Sequence, residues 1–191
     1  MKLICIGDSQ TFCLGLHRAD KWSTLLGENT GWEVINAGIN GDTSGGVLAR
    51  LRPDVIDKKP DIVLVMCGGN DFIMGADMGT VKANTMAIVQ QCLAAGIKVV
   101  IASELMLYPE LVSEEYNRIA DFHVVNERMR EITAWYPDFC NAFPGVSYIN
   151  LQKLYLEETG GSAEYSADGL HPNKEGAKII AKILTNEFYV L

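Results

Sequence analysis

The 191 residues are 48% hydrophobic and 21% charged, with a formal net charge of -8. That length allows one domain, 1–191, with a full-sized core, and the composition is that of a globular chain in water. An acidic balance without a Lys/Arg cluster argues against nucleic acid as a partner, since phosphates demand basic surface, and disfavours docking on anionic membranes.

Apolar runs of strand length alternate with segments of helical period. Leu3 to Ile6 forms a first strand, followed by the loop Gly7 to Leu16 and the helical pattern of Trp22, Leu25 and Leu26. Glu33 to Asn36 is a short second strand ahead of the polar loop Ala37 to Gly46. Val47, Leu48, Leu51 and Val55 then mark one face of a helix in which Pro53 predicts a break. Asp61 to Cys67 is apolar on both faces, as a central parallel strand must be. A helix from about Thr80 to Ala95 stops at Gly96. Ile97 to Ala102 is a fourth strand, and Glu104 to Ala120 a long, partly apolar connection. A helix from about Asp121 to Trp135, an extended stretch from Pro137 to Gly145, a strand from Val146 to Asn150 and a helix from about Asn173 to Phe188 complete the chain. The pattern predicts an α/β fold with a parallel sheet covered on both faces.

No apolar run is long enough to cross a bilayer, so no stable membrane insertion is expected. Met1-Lys2 leads into an apolar stretch too short for a signal peptide. The expected location is cytoplasmic, unless a leader has been removed from an exported form. Cys5, Cys13, Cys67, Cys92 and Cys140 are odd in number and lack CxxC spacing, which predicts small buried hydrophobes rather than a disulfide framework or zinc site. The tail Phe188-Tyr189-Val190-Leu191 could pack on the core or join copies into a homo-oligomer.

In such sheets the loops at the carboxyl ends of the strands line the ligand crevice. Four polar segments fall there. Gly7-Asp8-Ser9-Gln10 follows strand one and reads either as a nucleophile loop or as an Asp-Ser turn capping the next segment. It is not the Gly-x-Ser-x-Gly elbow, because Thr11 takes the place of the second glycine. Gly41 to Gly46 follows strand two, where glycine lets an N–H approach a substrate oxygen, or where Thr43 or Ser44 simply caps a helix. Gly68-Gly69-Asn70-Asp71 ends the most buried strand, and the Asn70 amide could donate to an oxyanion. In Asp168-Gly169-Leu170-His171-Pro172 the carboxylate can reach Nδ1 of an imidazole three residues on, leaving Nε2 towards Ser9. His17 and His123 lack a carboxylate at comparable spacing and are assigned to the surface or a pocket rim. Cys13 and Cys67 have no basic neighbour to activate them.

These four blocks, in this order, resemble the SGNH or GDSL family of serine esterases and lipases, over essentially the whole chain. Within it the bacterial branch of thioesterase I/lysophospholipase L1 and arylesterases is nearest. Gln10 stands where leucine is usual. The resemblance implies a flavodoxin-like three-layer α/β/α sandwich with strand order 2-1-3-4-5, and no metal or organic cofactor. It implies Ser9, Asp168 and His171 as a triad, with Gly41 and Asn70 as oxyanion donors beside the Ser9 N–H. Asp8 and Asp71 are assigned to supporting the loops. The expected reaction is hydrolysis of a small-molecule ester or thioester through an acyl-enzyme. Carbohydrate O-deacetylation or lysophospholipid hydrolysis would use the same site. A non-catalytic binding module on the same sheet is the rival from another class.

Overall fold

The computed structural model describes residues 1–191. Five strands, β1 (Lys2–Gly7), β2 (Glu33–Gly38), β3 (Ile62–Met66), β4 (Lys98–Ala102) and β5 (Val146–Ile149), form one sheet in the order β2-β1-β3-β4-β5. Every pairing is parallel, with Ile4 opposite Ile35 on one side and Val63 on the other. The three inner strands are buried on both faces, and alternate residues point to opposite sides. Ile4, Ile6, Val63, Val65, Val99 and Ile101 enter one core, while Leu3, Cys5, Leu64, Met66, Val100 and Ala102 enter the other.

Nine α-helices accompany the strands: α1 (Ser9–Phe12), α2 (Trp22–Thr30), α3 (Ser44–Asp54), α4 (Gly69–Ile73), α5 (Met78–Ala94), α6 (Glu114–Asn117), α7 (Phe122–Asn141), α8 (Leu151–Thr159) and α9 (Lys174–Val190). Helices α3, α5 and α7 cover the first core; α2, α8 and α9 cover the second. The architecture is therefore the three-layer α/β/α sandwich with the predicted strand order. All five cysteines are free and buried. No helix is long and apolar enough to cross a membrane. Of the apolar tail, Phe188 packs edge-on to Trp32, while Tyr189, Val190 and Leu191 are exposed.

The structure departs from the sequence expectations in several places. The loop after β1 contains a one-turn helix, because Asp8 Oδ1 accepts the Gln10 N–H and caps it. The break expected at Pro53 is present, since α3 ends one residue past it. The stretch after Pro137 is not an extended connection: α7 runs on to Asn141. Proline cannot donate to the Thr133 carbonyl, but the Tyr148 hydroxyl does so at 3.4 Å. Burial of Tyr136, Phe139 and Cys140, with Trp135 stacked on Phe139, holds the last turn in place. Helix α8, which the apolar periodicity did not reveal, lies between β5 and the segment carrying Asp168 and His171. Asn150 starts it by accepting the Lys153 N–H.

Candidate active site

Gly7 ends β1 against the Met66 carbonyl of β3. An added Cβ would lie 1.9 Å from that oxygen, so only glycine lets the chain turn here into α1. The turn puts Ser9 at the carboxyl edge of the central strand pair, with little solvent exposure. His171 arrives from the other end of the chain. Its Nε2 is 2.8 Å from Ser9 Oγ, and its Nδ1 is 2.8 Å from Asp168 Oδ2.

Local hydrogen bonds shape the histidine loop. Asp168 Oδ1 accepts the N–H groups of Leu170 and His171, both at 2.9 Å. Gly169 sits at φ +88°, and its carbonyl accepts the Tyr108 N–H at 2.8 Å. A side chain there would strain the backbone and drive a Cβ to 2.6 Å from the Tyr108 carbonyl. Partial burial alone would raise the Asp168 pKa. The hydrogen bonds from the His171 ring and from the two N–H groups outweigh it and hold the carboxyl below its usual range. Asp168 is thus an ionised acceptor, so the Nδ1 proton of a neutral His171 faces it and Nε2 is free to accept from Ser9.

Gly41, at φ +74°, and Asn70 line the cavity beside Ser9. The Gly41 N–H has no acceptor within the chain. The Asn70 amide donates to Asp8 Oδ2 at 3.1 Å and to the Asp42 carbonyl at 2.9 Å. Asp71 binds the start of α3, taking the Ser44 N–H at 2.7 Å and the Ser44 hydroxyl at 2.5 Å. Thr43 is the helix cap proper, accepting from the Gly46 N–H. Asp8 and Asp71 therefore brace the loops that carry Gly41 and Asn70. His17 and His123 are exposed and away from this group.

Three further residues complete the arrangement, and sequence reasoning missed their parts in it. Gln10, noted only as a departure from leucine, accepts the Leu105 N–H at 2.9 Å and donates to the carbonyls of Leu105 and Leu170 at 3.4 and 3.2 Å. It joins the loops after β1 and β4 to the histidine segment. Arg50 of α3 donates to the carbonyls of Gly7 and Ala37 and pairs with Asp42 at 2.7 Å. An arginine three residues after Val47 and beside Leu51, on the apolar face of a helix, was its available signal. Glu104 follows the buried run Val99 to Ala102, and its Oε2 accepts the Gly69 N–H at 2.6 Å. A lone acid two residues past four buried strand residues could have marked it.

A cavity of about 270 Å³ opens beside Ser9. Ser9, Gly41, Asn70 and His171 are part of its polar lining, with Asp8 and Glu104 behind them; Ile73, Leu107, Tyr116, Ile119, Met129 and Leu170 are among its apolar lining. The long connection after β4 thus supplies part of the pocket.

Residues 5–179 match the model of the GDSL-like Lipase/Acylhydrolase family. Esterase TesA of Pseudomonas aeruginosa is 30% identical over 181 residues, covering 89% of this chain and 79% of that protein. Thioesterase 1/protease 1/lysophospholipase L1 of Escherichia coli is 27% identical, covering 99% of this chain and 84% of that protein. The solved structure of a member of the lipolytic protein G-D-S-L family from Veillonella parvula superposes with a TM-score of 0.74 at 19% identity, over 100% of both chains, a likeness of fold. With the match spanning nearly the whole chain, this protein belongs to the GDSL-like lipase/acylhydrolase family and is a hydrolase acting on esters.

Proposed function

We propose that the protein is a serine acyl-hydrolase that cleaves carboxylic esters or thioesters through an acyl-enzyme. The observation that carries this reading is the continuous hydrogen-bonded line from Ser9 Oγ through both nitrogens of His171 to Asp168, at 2.8 Å for each step, opening on a cavity. As Ser9 Oγ attacks the carbonyl carbon, its proton passes to His171 Nε2, and Asp168 stabilises the imidazolium. Negative charge develops on the former carbonyl oxygen. The N–H groups of Ser9 and Gly41 and the Asn70 amide receive it, the amide turning one hydrogen from its resting acceptors. Collapse of this intermediate expels the alcohol or thiol, which takes the proton from His171. Water then attacks the acyl-serine as His171 removes its proton, and Ser9 regains the proton as the free acid leaves.

The cavity's apolar lining favours esters with an apolar acyl group over sugar acetates, which would leave most of that surface uncovered. Its volume lies near the lower end of small-ligand pockets, roughly 300 Å³ upwards, which points to short or medium chains. Ser9→Ala should abolish turnover of a short-chain aryl ester while the melting transition stays in place. Sustained hydrolysis by that variant would refute the nucleophile assignment. A binding module on the same sheet would predict no turnover by the unaltered protein.

A further inference from the structure

We infer that Glu104 is a positioning residue for the oxyanion hole, bridging the Gly69 N–H and the Asp8 carboxylate and so setting the Asn70 amide. This inference rests on the serine-hydrolase reading above. Its first basis is how firmly Glu104 itself is placed. The Glu104 carbonyl accepts from the Gln152 amide at 3.4 Å, and the next N–H, of Leu105, is held by Gln10 at 2.9 Å. The carboxyl is then directed under the start of α4. Its Oε2 takes the Gly69 N–H at 2.6 Å, and a Cβ added to Gly69 would lie 3.1 Å from Oε1.

The second basis is the chain of bonds onward. The Glu104 and Asp8 carboxyls lie side by side, within reach of a shared hydrogen bond, and the two oxygens of Asp8 accept the Gln10 N–H at 2.9 Å and the Asn70 amide at 3.1 Å. Two carboxyls can share such a bond only if one keeps its proton. Burial raises both carboxyls, and the negative charge of Asp8 adds to it at Glu104, which is pushed well above its usual range, so the proton is assigned to Glu104. The other groups around the pair reinforce this. Asp71 of α4 and Asp42 of the loop after β2 are further negative charges, Cys67 and Tyr136 are buried neutral groups, and His171 is the ring that faces Asp8. No Lys or Arg pairs with either carboxyl, whereas Asp42 has Arg50.

Two consequences follow for the reaction. One carboxyl holds both the backbone that precedes Asn70 and the acceptor of its amide, so the donor's position depends on Glu104 from two directions. The shared proton also leaves a single negative charge spread over both groups. A second charge beside the developing oxyanion would oppose it.

The test compares Glu104→Leu with Glu104→Gln, using an aryl ester as substrate. Leucine removes both bonds and should lower kcat by about 10- to 100-fold, with KM changed by less than about threefold. Glutamine can still donate to Asp8 and accept from Gly69, and should restore most of that loss. An undiminished kcat in Glu104→Leu, or equal impairment in the two variants, would overturn the inference. Should the leucine variant fail to fold, the pH profile decides. The unaltered protein should lose kcat as rising pH takes the proton from Glu104, and Glu104→Gln should not; superimposable profiles would overturn the inference. Ser9→Ala separates the two levels. Activity in that variant would refute the serine mechanism itself, whereas an inactive Ser9→Ala beside unimpaired Glu104 variants would refute only the role of Glu104.

Discussion

Replacing Gln10 by leucine, the residue usual at this place in the family, should harm this protein rather than help it. The side chain is buried and its carboxamide binds only main chain: the Leu105 N–H at 2.9 Å and the carbonyls of Leu105 and Leu170 at 3.4 and 3.2 Å. Leucine leaves the Leu105 N–H without a partner, at a cost of about 1–3 kcal/mol. The two longer bonds to carbonyls add less, and the apolar surface gained by leucine offsets part of the total. A net loss of about 2 kcal/mol lowers the melting temperature of a chain this long by about 4–8 °C. Leu170 directly precedes His171, so losing its tether loosens the imidazole against Ser9. A fall in kcat of about tenfold, with little change in KM, follows from that misplacement. Circular-dichroism melts and steady-state hydrolysis of an aryl ester measure both quantities. A Gln10→Leu protein with equal or higher Tm and undiminished kcat would show that the carboxamide bonds contribute nothing and that leucine packs there as well.

Two other outcomes are expected. Arg50→Met removes the donor to the Gly7 and Ala37 carbonyls and leaves Asp42 unpaired; breaking such a largely buried pair should cost about 3 kcal/mol in urea unfolding, and a loss below about 1 kcal/mol would contradict the bracing role. The second concerns pH. Glu104 holds its proton more tightly in the folded protein than in the unfolded chain, where a glutamate titrates near about 4.3. Above that pH the unfolded chain gains by releasing a proton that the folded chain retains, so stability falls as pH rises towards the folded-state pKa. Glu104→Gln should therefore be more stable relative to the unaltered protein at pH 8 than at pH 4, and a difference independent of pH would refute the assignment of that proton.

Ser9, Asp168 and His171 were legible because their spacing carries their chemistry. An acid three residues before a histidine, at the mouth of a closing helix, is a local pattern, as is a serine just past an apolar strand. Gly41 and Asn70 became candidates through topology, since a parallel sheet delivers every strand-end loop to one edge. Gln10, Arg50 and Glu104 were visible as residues, but their partners lie elsewhere in the chain. Gln10 meets groups 95 and 160 positions away, and Glu104 meets Gly69 across 35. No local period encodes such pairings.

The sequence by itself determined the five strands and the helices α2, α3, α5, α7 and α9, because burial on one face or two leaves a period of 2 or 3.6 in the order of apolar residues. It also brought the four polar blocks to a common edge once the sheet was taken as parallel. The tertiary structure alone decided how those blocks are held. Helix α7 passes Pro137 because Tyr148, from β5, takes up the carbonyl that proline leaves open. The carboxyl of Glu104 lies against Asp8 because the ends of β1, β3 and β4 meet there. These are contacts between side chains and backbone far apart in sequence, and they exist only when the packed sheet excludes the water that would otherwise satisfy each group separately.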